Sequence, residues 1–203
     1  LSGLNRLGLN ENTVVFFMSD NGGLSTSEGH PTSNIPLRGG KGWMYEGGIR
    51  EPMIVRWPGV TRPGSVCDSP VISTDFYPTI LEMAGVESRR DQEQDGVSLV
   101  PLLRGSEQPQ RSLYWHYPHY GNQGGAPAGA IRDGEWKLIE WYEESRVELF
   151  HLRKDISEKK NVADSYPSRT REMQASLHNW LVRTGAVMPS INVQFDASKP
   201  EGR

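Results

Sequence analysis

Cysteine is almost absent from this chain: Cys67 is the only one in 203 residues. No internal disulfide can form, and a zinc site built on cysteine pairs is excluded. Long apolar runs are also lacking, and none approaches the ~20 residues that a membrane-spanning helix needs. No patch of one charge sign stands out. The net charge is −3 and the lysines and arginines are scattered, so the basic footprint that nucleic-acid binding requires is missing. The start shows no charged segment followed by an apolar one, and hence no visible signal peptide. Internal repeats and low-complexity tracts are absent as well. What remains, 23% charged and 35% hydrophobic residues, suits a water-exposed globular chain with a core for one large domain or two small ones.

Leu1, Leu4 and Leu7 recur every three residues and stop at Gly8, which predicts the last turns of a helix closed by a glycine. A chain that opens mid-element reads as part of a longer one. Thr13 to Met18, TVVFFM, is a short continuous apolar run, as expected for a strand buried on both faces of a parallel sheet. Met53 to Trp57 predicts a second strand, stopped by Pro58 and Gly59. Asp75 is placed to cap a helix with Pro78 in its first turn, Phe76, Ile80, Leu81 and Met83 on its apolar side, and Gly85 beyond its end.

Past the DGVSLVPLLRG stretch, Asp95 to Gly105, the character changes. SLYWHYPHY, AGAIRDGEWKLIEWY and RVELFHL are aromatic-rich and partly alternating, with Asp133-Gly134 offering a tight turn, and they predict an antiparallel sheet. Pro167 suits a helix first turn, and Met173, Leu177, Trp180 and Leu181 share one helical face until Gly185. The reading is therefore an α/β portion over 1–105 and a small α+β unit, a sheet with one covering helix, over 106–203. From Pro189 on, the chain is polar and aperiodic, as expected of an extended surface tail.

The chemistry concentrates between Ser19 and Pro52, SDNGGLSTSEGHPTSNIPLRGGKGWMYEGGIREP. Asp20 and Asn21 follow the first predicted strand, where open α/β sheets place ligands. A carboxylate and an amide oxygen are hard donors that suit Ca²⁺ or Mg²⁺. Two such donors fall short of the roughly 6–8 oxygens that Ca²⁺ takes, so other segments must contribute. Lys41 lies in Gly39-Gly40-Lys41-Gly42, where absent side chains let an anion approach the ammonium. This is not a phosphate-binding P-loop, because Ile35 and Gly42 stand where glycine and Ser or Thr are needed. Nor is it a dinucleotide fingerprint, since Tyr45 takes the third glycine's place.

Taken in order, FFMSDNGG, NIPLRGGKGWMYEGGIREPMIVRWPG, STDFYPTILEMAG and DGVSLVPLLRG resemble the sulfatase family, and specifically the C-terminal half of formylglycine-dependent arylsulfatase-type enzymes of the alkaline-phosphatase-like superfamily. GAIRDGEWKLIEW and ELFHLRKDISEKKNVA resemble that family's C-terminal subdomain. The resemblance implies a mixed-sheet catalytic domain, of which 1–105 would be the end, and sulfate-ester hydrolysis, most naturally of a sulfated carbohydrate. It implies that Asp20 and Asn21 ligate a divalent cation, usually Ca²⁺, and that Lys41 contacts the sulfate. A periplasmic or extracellular location is implied in the same way.

The family's nucleophile is a hydrated formylglycine made from Cys or Ser in a C/S-x-P-x-R motif. Cys67 stands in CDSPV, with Ser69 and Val71 at the proline and arginine positions, so it is not that residue and reads as a small packing side chain. The nucleophile, the paired aspartates and the catalytic histidine would lie in an N-terminal half outside this chain, and the chain alone is expected to be inactive. Glu46 and Arg50, four apart, are placed to pair and brace the loop behind Lys41. Arg38 is a weaker substrate contact or a structural ion-pair partner. His116 and His119 are too few for a metal site, and the resemblance makes them substrate contacts. His30, His151 and His178 read as ordinary histidines. A phosphoester or phosphonate hydrolase of the same superfamily, or a non-catalytic binding module, are the alternative readings.

Overall fold

The structure, a computed structural model, describes residues 1–25, 32–89 and 91–193. His30 and the end of the predicted tail lie outside the described residues. The chain divides into two compact units, one made of Leu1–Asp20 with Glu51–Leu113 and the other of Asn21–Arg50 with Tyr114–Arg203. The division read from composition, 1–105 and 106–203, does not separate residues 21–50. Composition changes where element types change and carries no trace of which core a loop packs on.

In the first unit, helix α1 (Ser2–Arg6) ends at Gly8, whose φ of 69° lets its N–H reach Asn5 O and lets Leu9 N–H reach Leu4 O. Strands β1 (Val15–Met18) and β2 (Met53–Arg56) pair antiparallel, with Phe17 opposite Ile54. The expectation of a parallel sheet buried on both faces is thus corrected. Phe16 packs on Phe76 with ring centroids 5.6 Å apart, whereas Phe17 and Ile54, on the other face, are exposed. A continuous apolar run signals that both faces are suited to burial, but it does not fix strand direction.

Helix α3 (Phe76–Met83) starts after Asp75 as expected and ends at Gly85, φ 66°. Its buried face differs from the expectation: Thr79 is fully buried and Ile80 is exposed. Thr79 Oγ1 donates to Asp75 O and accepts the N–H of Leu99, which precedes α4 (Val100–Leu103), and these bonds fix the helix's rotation. Asp75 does not cap α3 with its side chain. Its buried carboxylate accepts the N–H groups of Ile72 at 2.9 Å and Val97 at 3.0 Å and pairs with Arg111. Cys67 is exposed, contrary to the packing role expected, because the stretch around it from 62 to 70 is exposed throughout.

The second unit is built on a four-stranded sheet in chain order, β3 (Ser112–Tyr117), β4 (Ala128–Asp133), β5 (Trp136–Trp141) and β6 (Arg146–His151), in which β4 with β5 and β5 with β6 pair antiparallel. Asp133 pairs with Trp136 across a tight turn in which Gly134 has φ 59°. Helix α5 (Pro167–Arg183) covers one face, with Met173, Leu177 and Leu181 buried against Ile131, Leu138 and Leu149. The opposite face is also covered. Ala128, Ala130, Ile139, Trp141 and Phe150 pack there against Met44 and Tyr45, which belong to the glycine-rich loop. The sheet therefore carries a helix on one side and that loop on the other.

Candidate functional site

Two backbone segments of the second unit meet at close range. Gly22 N–H donates to Gly48 O at 3.1 Å, and Lys41 N–H donates to Gly23 O at 3.3 Å. The side chain of Asn34 ties them further: its Oδ1 accepts Gly23 N–H at 3.1 Å, and its Nδ2 donates to Gly23 O at 2.8 Å and Gly39 O at 3.0 Å. Glycine is required at this junction by space alone. A Cβ on Gly22 would sit 1.8 Å from Gly47 O, and one on Gly48 would sit 2.1 Å from Trp43 O. The segment that carries Asn21 and the loop that carries Lys41 are thus brought together, with the Lys41 side chain exposed.

A second stretch borders Lys41. Trp43 Nε1 donates to Gln123 O at 3.0 Å, and a Cβ on Gly125 would lie 1.8 Å from Gly42 O. Residues 121–125 therefore pack directly on the lysine loop. His119 and Tyr120, just before them, are exposed. His119 touches Tyr117 edge-on, and both ring nitrogens of His116 already have protein partners, Tyr142 Oη at 2.8 Å and Val187 O at 2.9 Å.

Beneath the loop lies a buried charge network that the sequence did not reveal. Helix α2 (Glu46–Ile49) begins with Glu46, which is fully buried. Glu46 Oε1 is 3.0 Å from Lys137 Nζ, and Lys137 Nζ is 2.9 Å from Glu158 Oε1, with Lys137 and Glu158 also fully buried. Arg50 and Arg132 approach Glu46 Oε2 at 3.6 and 3.8 Å, beyond hydrogen-bond range. Burial pushes the Glu158 carboxyl up, against the opposing pull of Lys137. Burial likewise lowers the Arg132 guanidinium pKa. One sequence signal for Lys137 existed: Leu138 and Ile139, neighbours on β5, need opposite faces, so the strand is buried on both and Lys137 with it.

Arg38 is held inside the same framework. Its guanidinium lies 3.8 Å over the Tyr45 ring and its Nη1 donates to Glu158 O at 2.8 Å. Tyr45 Oη donates to Glu148 Oε2, which also accepts Trp141 Nε1 at 2.9 Å. Burial first, and that hydrogen bond second, push the Tyr45 phenol up to about 12. The remaining described histidines are engaged elsewhere, His178 with Glu140 at 2.6 Å and His151 with Glu135 at 3.6 Å.

In the first unit, Asp20 is exposed just beyond β1 and Glu51 stands just before β2. Burial, and then the charge of Asp20, raise the Glu51 carboxyl pKa, and Glu51 Oε1 is a buried oxygen with no hydrogen-bond partner. Two carboxylates at adjacent strand ends, one with an unused oxygen, form a donor set that fits a hard divalent cation. Among the described residues, no group of three or more His, Cys, Asp or Glu could hold a metal by itself. No helix among them is long and apolar enough to cross a membrane.

These features match known proteins. The N-sulphoglucosamine sulphohydrolase C-terminal family matches residues 40–186. A sulfatase of Formosa agariphila is 38% identical over 88% of this chain and 34% of its own length. Rat steryl-sulfatase is 42% identical over 58% of this chain and 21% of its own. Among solved structures, Ps i-CgsB in complex with k-i-k-neocarrahexaose has a TM-score of 0.75 at 32% identity, covering 88% of this chain and 38% of that one. BT4656 in complex with its substrate D-glucosamine-2-N,6-O-disulfate has a TM-score of 0.74 at 29% identity, covering 93% and 38%. Sheet, helix and glycine-built loop together define a sulfatase-type C-terminal region. The chain belongs to the sulfatase family, to its C-terminal portion, and spans about a third of the length of the Formosa relative.

Proposed function

We propose that this chain supplies the cation- and sulfate-binding side of a sulfatase active site, and that the complete protein hydrolyses a sulfate ester of a carbohydrate. The observation that carries the reading is the exposed Lys41 on a loop bonded backbone to backbone to the Asn21 segment. An ammonium held this way meets the charge that builds on a sulfate oxygen without first reorganising. Asp20 and Asn21 would hold Ca²⁺, with Mg²⁺ as the other hard ion that suits them. When bound, that ion supplies Lewis-acid neutralisation of the sulfate. The sugar in the bound ligands of two structural relatives supports the substrate class.

The only cysteine stands in CDSPV, and Ser165, whose SYPSR has the motif's letters, lies just before α5, on the face of the sheet opposite the Lys41 loop, so no nucleophile of this motif is brought to Lys41. Charge neutralisation without an attacking group leaves the ester intact, so the chain alone is expected to bind but not to turn over. In the complete protein, Lys41→Ala should lower kcat by ~10²–10³-fold with the fold kept. Asp20→Ala should weaken Ca²⁺ binding in calorimetry, and chelator treatment should remove activity that added Ca²⁺ restores. Wild-type kinetics for Lys41→Ala on a sulfated disaccharide would reject the assignment. Preference for a phosphate monoester over the sulfate ester would move the reading to the superfamily's phosphoester hydrolases.

A further inference from the structure

Among the largest of the fully buried side chains described is a charged one, Lys137. It sits on the face of β5 that Ile139 and Trp141 share, under the glycine-rich loop. An apolar residue of similar volume would fill this space without carrying a charge out of water, and such replacements of buried ion pairs are often neutral or stabilising. Stability alone therefore does not account for a lysine here. What its ammonium does is join two carboxylates from separate turns of chain, Glu46 at 3.0 Å and Glu158 at 2.9 Å.

Glu158 reaches both ends of the loop, one through its carboxylate and the other through its backbone oxygen. Glu46 opens α2, where the loop ends, and its N–H donates to Glu158 Oε2 at 2.6 Å. The backbone oxygen of Glu158 accepts Arg38, at the loop's other end, at 2.8 Å. Glu158 does this from a left-handed conformation, φ 49°, which side-chain-bearing residues avoid. Lys41 lies between those two anchors and touches none of them. Arg50, read from sequence as the brace of Glu46, is half exposed and 3.6 Å away, so it is the looser tie.

We propose that Lys137 is a positioning residue for Lys41, acting through Glu46 and Glu158 to hold both ends of the loop against the sheet. The role given to Lys41 rests on the sulfatase reading; the anchoring of the loop does not. The test uses the complete protein with Lys137→Met, and a second variant, Glu46→Gln with Lys137→Met and Glu158→Gln, which removes the three fully buried charges together. Residue-resolved amide hydrogen exchange should show Gly22 and Lys41 exchanging at least about tenfold faster, with Ile131, Leu138 and Leu149 in the sheet unchanged. On a sulfated carbohydrate, kcat should fall at least about tenfold while KM stays within about twofold.

A folded variant whose Gly22 and Lys41 amides exchange as in the wild type would overturn the proposal. So would equal acceleration of the sheet amides, which marks a general packing role. Failure of both variants to fold would assign Lys137 to the fold as a whole and overturn it too. If the wild type hydrolyses no sulfate ester while the exchange pattern is as expected, the sulfatase reading fails and the anchoring of the loop stands.

Discussion

Gly22→Ala is the sharpest perturbation of the junction between the Asn21 segment and the Lys41 loop. The added methyl would sit 1.8 Å from Gly47 O and 2.8 Å from Gly47 C and Gly48 Cα. An ordinary carbon–oxygen contact is near 3.2 Å, so the two segments must separate by roughly 1.4 Å. The obstacle is backbone, and it is itself held, because Gly47 N–H donates to Arg38 O at 2.8 Å. Separation breaks the Gly22 to Gly48 bond at 3.1 Å and the already long Lys41 to Gly23 bond at 3.3 Å.

Two lost backbone bonds at about 0.5–1.5 kcal/mol each and an overpacking cost of about 1–3 kcal/mol give a destabilisation of about 2–6 kcal/mol. Reduced freedom of the unfolded chain offsets at most about 1 kcal/mol of this. Gly3→Ala is the control: nothing lies within 4 Å of its added methyl, and it sits in α1, so it should stabilise by about 0.5–1 kcal/mol. Urea unfolding followed by tryptophan fluorescence reads the second unit well, since Trp43, Trp115, Trp136, Trp141 and Trp180 all lie there. On the proposed role of Lys41, the folded fraction of the complete protein carrying Gly22→Ala should also lose about 10²-fold in kcat, as a displacement near 1 Å at a charge-stabilising group does. Unfolding within about 0.5 kcal/mol of the wild type would refute the steric argument.

Tyr45→Phe tests the buried phenol. Its folded pKa, about 12, exceeds the unfolded value near 10, so its contribution is fully present below pH 10 and is lost as pH rises towards 12. Denaturation of wild type and variant at steps from pH 9 to 12 should show their stability difference shrinking by on the order of 2–3 kcal/mol; a constant difference would count against the raised pKa. Asp75→Ala in the first unit removes the acceptor of two backbone N–H groups and the partner of Arg111. It should cost about 3–5 kcal/mol, with faster amide exchange around Ile72 and Val97 and none in β4 to β6; unchanged exchange at Val97 would show that the 72–97 turn is held otherwise.

Elements fixed by local periodicity were legible in the sequence. The four-residue spacing of Met173, Leu177 and Leu181 makes a helix with one apolar face, and that face is the buried one. The aromatic runs of β3 to β6 alternate only in part, because one residue in two meets α5 and the next meets the loop, so both faces are covered. Elements fixed by distant partners were not legible. Lys137 can be buried only because Glu46, 91 positions away, is buried with it. Ile80 faces outward because Thr79 bonds Leu99, 20 positions on, and no local pattern carries that bond. Asp20, Asn21 and Lys41 are candidates on residue type alone, whereas Glu51 joined them only through its unused oxygen in three dimensions.

On the proposed role of Lys41, the crowding of glycines between Ser19 and Pro52 follows from what a lysine needs in order to act as a fixed charge. A lysine side chain has four flexible carbons, so only its backbone can be held still before a ligand arrives. Among its described residues the loop offers little regular structure for that purpose, as α2 is four residues long. Its rigidity must be borrowed from outside. Glycines let it lie flat against the Gly22–Gly23 segment, Met44 and Tyr45 drive it onto the sheet, and Lys137 with Glu158 pins its ends. Each tie uses a different force: backbone hydrogen bonding, apolar burial and buried charge. The first and the last depend on exact positions rather than on area, and in a dry interior a displaced ion pair also leaves its charges without solvent. The apolar contacts keep the loop on the sheet; the backbone bonds and the charges decide where on it Lys41 stands.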